Sequence, residues 1–182
     1  MKAALKTGLA GPAEAPPAAG AAADCDLPPD YELIELMFFA YRDLVCDADH
    51  LLENFGLGRA HHRVLHFVNR RPGLTIAELL DILKITKQSL NRVLKDLLDQ
   101  DYVVSRPGPT DRRQRRLFPT QRGEALALDV AQVQSKRFAS VFAHLPDNGR
   151  ASARAFLRAI IAAGERDKAA ALRPLRPRRL CG

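Results

Sequence analysis

Cysteine is scarce in this 182-residue sequence, and its three cysteines are scattered. Cys25, Cys46 and Cys181 are odd in number and far apart, so they form neither a C-x-x-C pair nor the even set that a disulfide framework requires. This pattern argues against a zinc-thiolate site and favours the reducing cytoplasm. Long apolar runs are absent as well. None approaches the roughly 20 residues that span a bilayer, so we expect a soluble protein that does not enter a membrane.

Groupings of residues that are typical of enzymes are lacking too. The sequence offers no nucleophile paired with a base, no glycine-rich loop that would cradle a phosphate and no complete set of metal ligands. His62 and His66 have the four-residue spacing of half a zinc site, but no acidic or thiolate partner is apparent nearby. We therefore expect neither an enzyme nor a bound metal or cofactor.

Positive charge is in excess over the whole chain. The 28 lysines and arginines outnumber the 21 acidic residues, which gives a net charge of +7 and a pI near 9.7. This balance favours a polyanionic partner, either nucleic acid or an anionic membrane surface. Residues 1–29 are rich in alanine and proline and lack the apolar stretch of a signal peptide, so we expect a disordered tail there. Residues 173–182 form a basic tail that would add non-specific attraction to phosphate.

The most informative stretch runs from Ile85 to Asp101, ITKQSLNRVLKDLLDQD. Its apolar residues recur at steps of three and four, which places them on one face of a helix: Leu90, Val93, Leu94, Leu97 and Leu98. Thr86 can cap this helix by accepting a hydrogen bond from a backbone N–H of the first turn. The polar face then starts with groups that read base edges and hold phosphates, namely Lys87, Gln88, Ser89, Asn91 and Arg92.

Two further helices are predicted upstream of this stretch. The first is Arg59 to Arg70, with Val64, Leu65, Phe67 and Val68 as its inward residues. Thr75 and Glu78 fit the S/T-x-x-E capping box, which indicates the start of a short helix, TIAELLDIL. Only a tight turn separates that helix from the next one. The pair therefore predicts a helix-turn-helix, whose second helix enters the major groove of DNA.

A short hairpin is predicted directly after the helix-turn-helix. Tyr102 to Arg106 and Arg115 to Pro119 are rich in β-branched and aromatic residues, and the intervening PGPTDRRQ is a turn built from Pro, Gly and Asp. The hairpin carries five arginines, Arg106, Arg112, Arg113, Arg115 and Arg116. A helix-turn-helix followed directly by a hairpin with a basic loop is the arrangement of a winged helix. Arginine on such a loop suits the negative potential of a narrow minor groove.

The helices at the two ends of the chain are unusually apolar. A long helix capped by Asp30 is predicted to run to about residue 52, and its apolar residues occupy more than one face. A second long helix should begin at Thr120 and end near Leu145. A last helix is predicted over about 151–170, with the buried residues Phe156, Leu157, Ile160 and Ile161. A second subunit would bury this apolar surface, so we expect a homodimer.

The order of these elements and the wing sequence resemble the MarR family of dimeric winged-helix transcription regulators. The family's D-x-R-x-x-R signature falls on Asp111, Arg113 and Arg116. The resemblance spans about residues 31–170 and includes the T-x-x-G after the wing, Thr120 and Gly123. FFAYRD and GRAHHRVLHFVNRRPGL look most like the alphaproteobacterial PetP-type branch of the family.

The resemblance implies a mainly α fold, a winged helix-turn-helix whose N- and C-terminal helices form a dimerisation lobe. Each subunit would place its recognition helix in a major groove and Arg112 or Arg113 in the flanking minor groove of a pseudo-palindromic operator. Asp111 would brace the wing through a charge-assisted hydrogen bond to an arginine. The residues expected at double-stranded DNA are Thr86, Lys87, Gln88, Ser89, Asn91, Arg92, Arg106, Arg112, Arg113, Arg115 and Arg116.

Two positions depart from the family pattern. Asp101 stands where a helix-ending glycine is usual, and Lys84 occupies a turn position where glycine is common. Asp tolerates the left-handed backbone conformation better than most residues but less well than glycine. The local geometry of these two turns is therefore open.

Members of the family are released from DNA by a small aromatic or phenolic ligand or by cysteine oxidation. The ligand-pocket candidates here are Tyr41, Arg42, His62 and His66, although the two histidines also fit ordinary polar contacts at a helix surface. The redox candidates are Cys25 and Cys46. Cys46 is close to three aspartates in the sequence, which disfavours a reactive thiolate, so an inter-subunit disulfide between tails is the expected form of a thiol switch.

These observations predict a domain over residues 30–172, with a DNA-binding lobe at about 56–120 and dimerisation helices at about 30–52 and 121–172. We expect a cytoplasmic, homodimeric regulator that binds a specific operator, usually as a repressor. The alternative is a winged helix that serves as a protein-interaction module without sequence-specific DNA binding. The wing arginines speak against that alternative, because such an interface would need an acidic partner.

Overall fold

The computed structural model describes residues 28–109, 111 and 113–172. Helices dominate, which confirms the mainly α fold class. In chain order the elements are α1 (Tyr31–Glu53), α2 (Arg59–Arg70), β1 (Leu74–Thr75), α3 (Ile76–Leu83), α4 (Lys87–Asp99), β2 (Val103–Pro107), β3 (Arg115–Pro119), α5 (Gln121–Phe142), α6 (Gly149–Ile160) and α7 (Ala163–Ala170). The predicted tails 1–29 and 173–182 lie outside this range except for Pro28 and Pro29.

Three antiparallel strands in the order β1-β3-β2 form the sheet. The predicted hairpin is present as β2 and β3, with Val103 opposite Pro119 and Arg106 opposite Arg116. The two-residue strand β1 was not predicted. It pairs Leu74 with Leu117, and this places the start of α3 against the wing.

One hydrophobic core joins α2, α3, α4, β3 and the first half of α5, and the end of α1 covers it. Its largest fully buried side chains are Leu52, Leu65, Leu74, Leu79, Leu90, Leu97, Tyr102 and Leu117. The inward faces predicted for α2 and α4 are confirmed, with Phe67 and Leu98 only partly buried at the margin of the core. The opposite face of α4 is exposed to solvent.

Helix starts and turns follow local chemistry closely. Asp30, Thr75, Thr86 and Thr120 each accept a hydrogen bond from the backbone N–H three residues later, as N-caps do. Lys84 and Asp101 adopt the left-handed conformation, with φ of 51° and 58°. The two turns where glycine is common are therefore made by non-glycine residues.

The prediction of one final helix over 151–170 is wrong. The extended backbone of Ile161, with ψ of 128°, separates α6 from α7. Phe156, Leu157 and Ile160 are 46%, 48% and 61% exposed, so they are not buried in the single chain as predicted, and Ile161 is half-buried. In the single chain, α6 therefore has no buried residue.

Across the described residues, no helix is both long and apolar enough to cross a membrane.

Candidate nucleic-acid interface

The start of α4 presents a polar surface to solvent. Thr86 Oγ1 accepts a hydrogen bond from the backbone N–H of Ser89 at 3.2 Å, and the two hydroxyl oxygens are 2.9 Å apart. Ser89 is thus partly committed to the cap. The predicted contact residues Lys87, Gln88, Asn91 and Arg92 are all exposed. This end of the helix combines the amides of Gln88 and Asn91 with the positive charges of Lys87 and Arg92, which is the chemistry that reads base edges and phosphates.

Side chains of α2 fix the position of α4 and of the turn before it. His61 Nδ1 accepts the backbone N–H of Gly58 at 3.1 Å, so a neutral ring carries its proton on Nε2, which lies 3.2 Å from Asp96 Oδ2 on α4. Arg63 Nη2 donates to the carbonyl oxygen of Leu83 at 2.9 Å, at the end of α3. Sequence analysis missed both residues, because their partners are 35 and 20 residues away in the chain.

The tip of the wing is closed by Asp111. Its carboxylate accepts the backbone N–H of Arg113 at 2.8 Å, and its carbonyl oxygen accepts the backbone N–H of Gln114 at 3.1 Å. The expected charge-assisted hydrogen bond from Asp111 to an arginine side chain stays a prediction, because its hydrogen bonds within the described wing go to backbone N–H groups. An aspartate two residues before an N–H forms a local turn more readily than a bridge to a long side chain. Arg112 lies outside the described residues.

The arginines of the wing serve different ends. Arg113 is exposed at the tip. Arg106 is exposed as well and its guanidinium lies 5.2 Å from the centre of the Phe118 ring. Arg115 is held within the hairpin, since Nε donates to Ser105 Oγ at 3.0 Å and Nη2 to Ser105 O at 3.1 Å. Arg113 is therefore the described wing arginine best placed to reach outward.

Arg116 lies apart from the tip, at the base of the wing. It lines a cavity of about 440 Å³ together with Arg71, Gly73, Glu78 and Ala171. Its Nε is buried and has no hydrogen-bond partner among the described residues. This position makes Arg116 a link between the wing and α3.

Glu78 is a carboxylate in the same cavity at the foot of the wing. Its carboxylate accepts the backbone N–H of Thr75 at 2.9 Å, the Thr75 hydroxyl at 2.8 Å and Arg71 Nη2 at 2.7 Å. These hydrogen bonds, led by the one from the Thr75 backbone, and the charges of Arg71 and Arg116 hold the pKa of Glu78 below its usual value. The predicted capping box thus also connects α3 to β3.

The T-x-x-G after the wing lies where α5 contacts the end of α4. Thr120 Oγ1 accepts the backbone N–H of Gly123 at 3.0 Å and donates to the carbonyl oxygen of Asp101 at 2.6 Å. Arg122 stacks on Tyr102, with its guanidinium 4.3 Å from the ring centre, and donates to the Tyr102 hydroxyl at 3.0 Å. These contacts fasten α5 to the end of α4.

The four ligand-pocket candidates lie on α1 and α2. Tyr41 is 54% exposed, and Arg42 pairs with Asp43 at 2.9 Å while lying 4.7 Å from the centre of the Phe39 ring. None of the three best-formed cavities among the described residues is lined by Tyr41, Arg42, His62 or His66.

The histidine pair on α2 is half-buried. The rings of His62 and His66 are 6.1 Å apart, and His66 also meets the edge of Phe67. Burial lowers the pKa of both histidines, that of His66 to about 4, where the charges of His62 and Arg70 contribute. His66 is neutral at pH 7, so it offers a hydrogen bond but no positive charge to an anionic ligand.

Cys46 is half-buried on α1, and its Sγ lies 3.7 Å from His50 Nε2. The other redox candidate, Cys25, and Cys181 lie outside the described residues. Within the described ranges no group of three or more His, Cys, Asp or Glu side chains could hold a metal ion.

Comparisons with known proteins agree with this geometry. A model described as the MarR family matches residues 55–114. The HTH-type transcriptional regulator PetP of Rhodobacter capsulatus is 47% identical over 109 residues, which are 60% of this chain and 66%, just under two thirds, of that protein. The predicted likeness to the PetP-type branch is thereby confirmed.

Solved structures of this fold are also similar. A MarR transcriptional regulator from Methanosarcina mazei Go1 has a TM-score of 0.61 and 26% identity, over 70% of this chain and 92% of that one. A mutant MarR from E. coli, complexed with operator DNA, has a TM-score of 0.58 over 72% of this chain and 94% of its own, and at 20% identity it supports the fold alone. In its sequence match, its element order and its wing signature this chain is similar to the MarR family of winged-helix transcriptional regulators.

Proposed function

We propose that the chain is a sequence-specific DNA-binding regulator of transcription that acts as a homodimer in the cytoplasm. The observation that carries this proposal is the arrangement of α4. One face is sealed into the core by Leu90, Val93, Leu94 and Leu97, while its first two turns expose Lys87, Gln88, Asn91 and Arg92. Similarity to the MarR family and to the transcriptional regulator PetP favours this role over that of an enzyme.

In this proposal α4 and the wing act on neighbouring grooves. The major groove is wide enough for a helix, and amide side chains such as Gln88 and Asn91 can make paired hydrogen bonds to adenine edges. Arg113 at the wing tip would enter the adjacent minor groove, where the phosphates on both sides concentrate negative potential. Lys87 and Arg92 would bind phosphates and hold the helix in register.

The dimer is supported by apolar surface that one chain leaves open. On α1, Tyr31, Ile34 and Phe38 are each more than 60% exposed, and Phe156, Leu157 and Ile160 are exposed on α6. A soluble monomer rarely leaves so large an apolar patch in water. α6 has no buried residue in the single chain. Two copies that pack against each other through α1 and α6 would bury this surface. The dimer would then present two α4 helices to one duplex.

We further propose that the dimer is a repressor that binds a pseudo-palindromic operator and is released by a small aromatic ligand or by oxidation. The three best-formed cavities among the described residues do not include Tyr41, Arg42, His62 or His66, which supports a ligand site that is completed by the partner subunit. Cys46 lies against His50, so oxidation there would alter a contact on α1.

Selection of preferred sequences from a randomised duplex pool tests the function. We expect the purified chain to enrich a pseudo-palindrome with half-sites about one helical turn, roughly 10 base pairs, apart. Weak binding without an enriched motif would reject sequence-specific regulation and would favour the protein-interaction alternative.

A further inference from the structure

The cavity at the base of the wing lies where the wing, the end of α2 and the start of α3 meet. It has a volume of about 440 Å³ and is lined by Arg71, Pro72, Gly73, Glu78, Arg116 and Ala171. We call it the wing-base cavity. Protein sites that hold a small molecule usually have volumes of about 300–1,000 Å³. The wing-base cavity is therefore large enough for a small organic ligand.

Backbone contacts fix the frame of the wing-base cavity. The backbone N–H of Gly73 donates to the carbonyl oxygen of Leu117 at 2.7 Å, and Thr75 is paired with Arg116 across β1 and β3. Arg71 is the residue that ends α2, as its C-cap. The two arginines thus reach the cavity from different elements that hydrogen bonds hold together. A ligand would find them already in place.

The charge of the lining favours an anion. Arg71 and Arg116 carry one positive charge each and Glu78 carries one negative charge, so the lining has a net charge of +1 (two minus one). The carboxylate of Glu78 accepts hydrogen bonds from Thr75 and from Arg71 Nη2. Arg116 forms no ion pair with any described carboxylate, and its Nε is buried without a hydrogen-bond partner in that part of the chain. The charge of Arg116 is therefore available to a ligand.

A carboxylate with a single negative charge matches this lining best. The planar fork of a guanidinium pairs with a carboxylate through two parallel hydrogen bonds. One negative charge neutralises the lining, whereas a dianion such as phosphate would leave an excess negative charge next to Glu78. Pro72 and Ala171 offer apolar surface to the rest of the ligand. The lining thus favours an organic monocarboxylate over an inorganic dianion.

We propose that the wing-base cavity binds a small organic monocarboxylate, whose carboxylate pairs with Arg116 while Arg71 stays on Glu78 and adds its charge. This site lies within one subunit and is separate from the candidates on α1 and α2. Arg116 belongs to the wing and Thr75 caps α3, so a bound ligand would contact two elements next to α4. An influence on DNA binding rests on the proposed function, whereas occupation of the cavity does not.

Calorimetric titration of the full-length chain without DNA tests the ligand class, with benzoate as the probe at low ionic strength. We expect benzoate to bind at least about tenfold more tightly than benzamide, which has the same ring but no charge and so forms no charge-assisted pair. Inorganic phosphate at about pH 8, where it is mainly a dianion, should also bind at least about tenfold more weakly. Absence of benzoate binding, or equal binding of benzamide or phosphate, would overturn the proposal.

Substitution of Arg116 tests the residue. Arg116→Gln should weaken benzoate binding roughly tenfold or more, and Arg116→Lys, which keeps the charge but loses the planar fork, should fall between the variant and wild type. Lys136→Gln removes the same charge from an exposed position on α5 and should bind benzoate as wild type does. Circular dichroism verifies that each variant is folded. A folded Arg116→Gln chain that binds benzoate as tightly as wild type would overturn the proposal.

Nuclear magnetic resonance of the unaltered chain tests the position and does not depend on the folding of a variant. Benzoate should shift the backbone amide signal of Gly73 and the Nε–H signal of Arg116, which is identified by its loss in the Arg116→Gln chain. The proposal would be overturned by shifts confined to Tyr41, Arg42, His62 and His66. A chain that shows the expected shifts but binds no duplex would support this site and reject the proposed DNA-binding function, so the two failures can be told apart.

Discussion

Gly123, in the first turn of α5, packs directly against the carbonyl oxygen of Tyr102. A Cβ atom at Gly123 would overlap that oxygen and would lie 3.0 Å from the carbonyl carbon and 3.4 Å from Leu65 Cδ1. The same oxygen accepts the backbone N–H of Thr120 at 3.1 Å. The end of α4 and the start of α5 are therefore in backbone contact, and this junction joins the lobe that carries α4 to the long helix.

We expect Gly123→Ala to destabilise the protein by about 1–3 kcal/mol, because either the backbone of Tyr102 or that of α5 must shift to admit the methyl group. Urea unfolding measures the effect. Gly164→Ala is the matched control. No atom lies within 4 Å of a Cβ at that position, so the change should be neutral or slightly stabilising. Equal behaviour of the two variants would contradict the steric account.

Stability should fall as the pH drops from about 6.5 to about 4. The pKa of His66 is lowered to about 4 in the folded chain, mainly by burial, whereas an unfolded histidine titrates near 6.5. Between these values the unfolded state binds the additional proton, so the free energy of unfolding decreases as the pH falls. The loss attributable to His66 is up to roughly 3 kcal/mol.

The variant His66→Gln isolates this effect, since glutamine keeps a polar side chain but does not titrate. Denaturant unfolding at several pH values between 7 and 4 should give a smaller decrease for the variant than for wild type. The difference between the two chains removes the contribution of the carboxylates. Parallel pH profiles would show that the pKa of His66 is not lowered in the folded protein.

Charged substitutions on the open apolar surface should abolish the dimer. Ile34→Glu and Phe156→Glu each introduce a carboxylate on this surface. Because Ile34 is 62% exposed and Phe156 is 46% exposed in the single chain, neither substitution should disturb the fold of one subunit. Sedimentation should show twice the mass of one chain for wild type and a single chain at the same concentration for the variants. Lys95→Glu, exposed on α4, is the control and should remain dimeric. A wild-type monomer at high concentration would reject the proposed interface.

Base readout and phosphate binding should separate between α4 and the wing. Gln88→Ala and Asn91→Ala should reduce discrimination between bases by about 1–3 kcal/mol, since each removes paired hydrogen bonds to one base edge. Arg113→Ala should weaken binding to all sequences alike. Arg42→Ala removes the same charge from α1 and should have little effect. A changed base preference in the Arg113→Ala variant alone would contradict this division of roles.

Features that depend on neighbouring residues were predictable from the sequence. The caps at Asp30, Thr75, Thr86 and Thr120 and the bounds of α2 and β3 follow from spacing and residue type. Strand β1 was missed because two residues show no alternating pattern, and because its partner Leu117 lies 43 positions away (117 minus 74).

The remaining differences arise from contacts that are distant in sequence or from geometry that several patterns share. Nothing in the run from Ile160 to Ala163 marks a break between helices, yet Arg166 donates to the carbonyl oxygens of Ile161 and Ala159 and closes α6 there. The roles of His61 and Arg63 depend on Asp96 and Leu83, which only the fold brings near.

Sequence-specific DNA binding is the central claim, and a comparison of two duplexes tests it most directly. Affinities for the selected duplex and for a scrambled duplex of equal length are measured between 50 and 200 mM salt, conditions over which phosphate contacts weaken steeply. We predict that both affinities fall with salt while the selected duplex stays tighter by at least about 10³-fold. A ratio near one at every salt concentration would contradict the account.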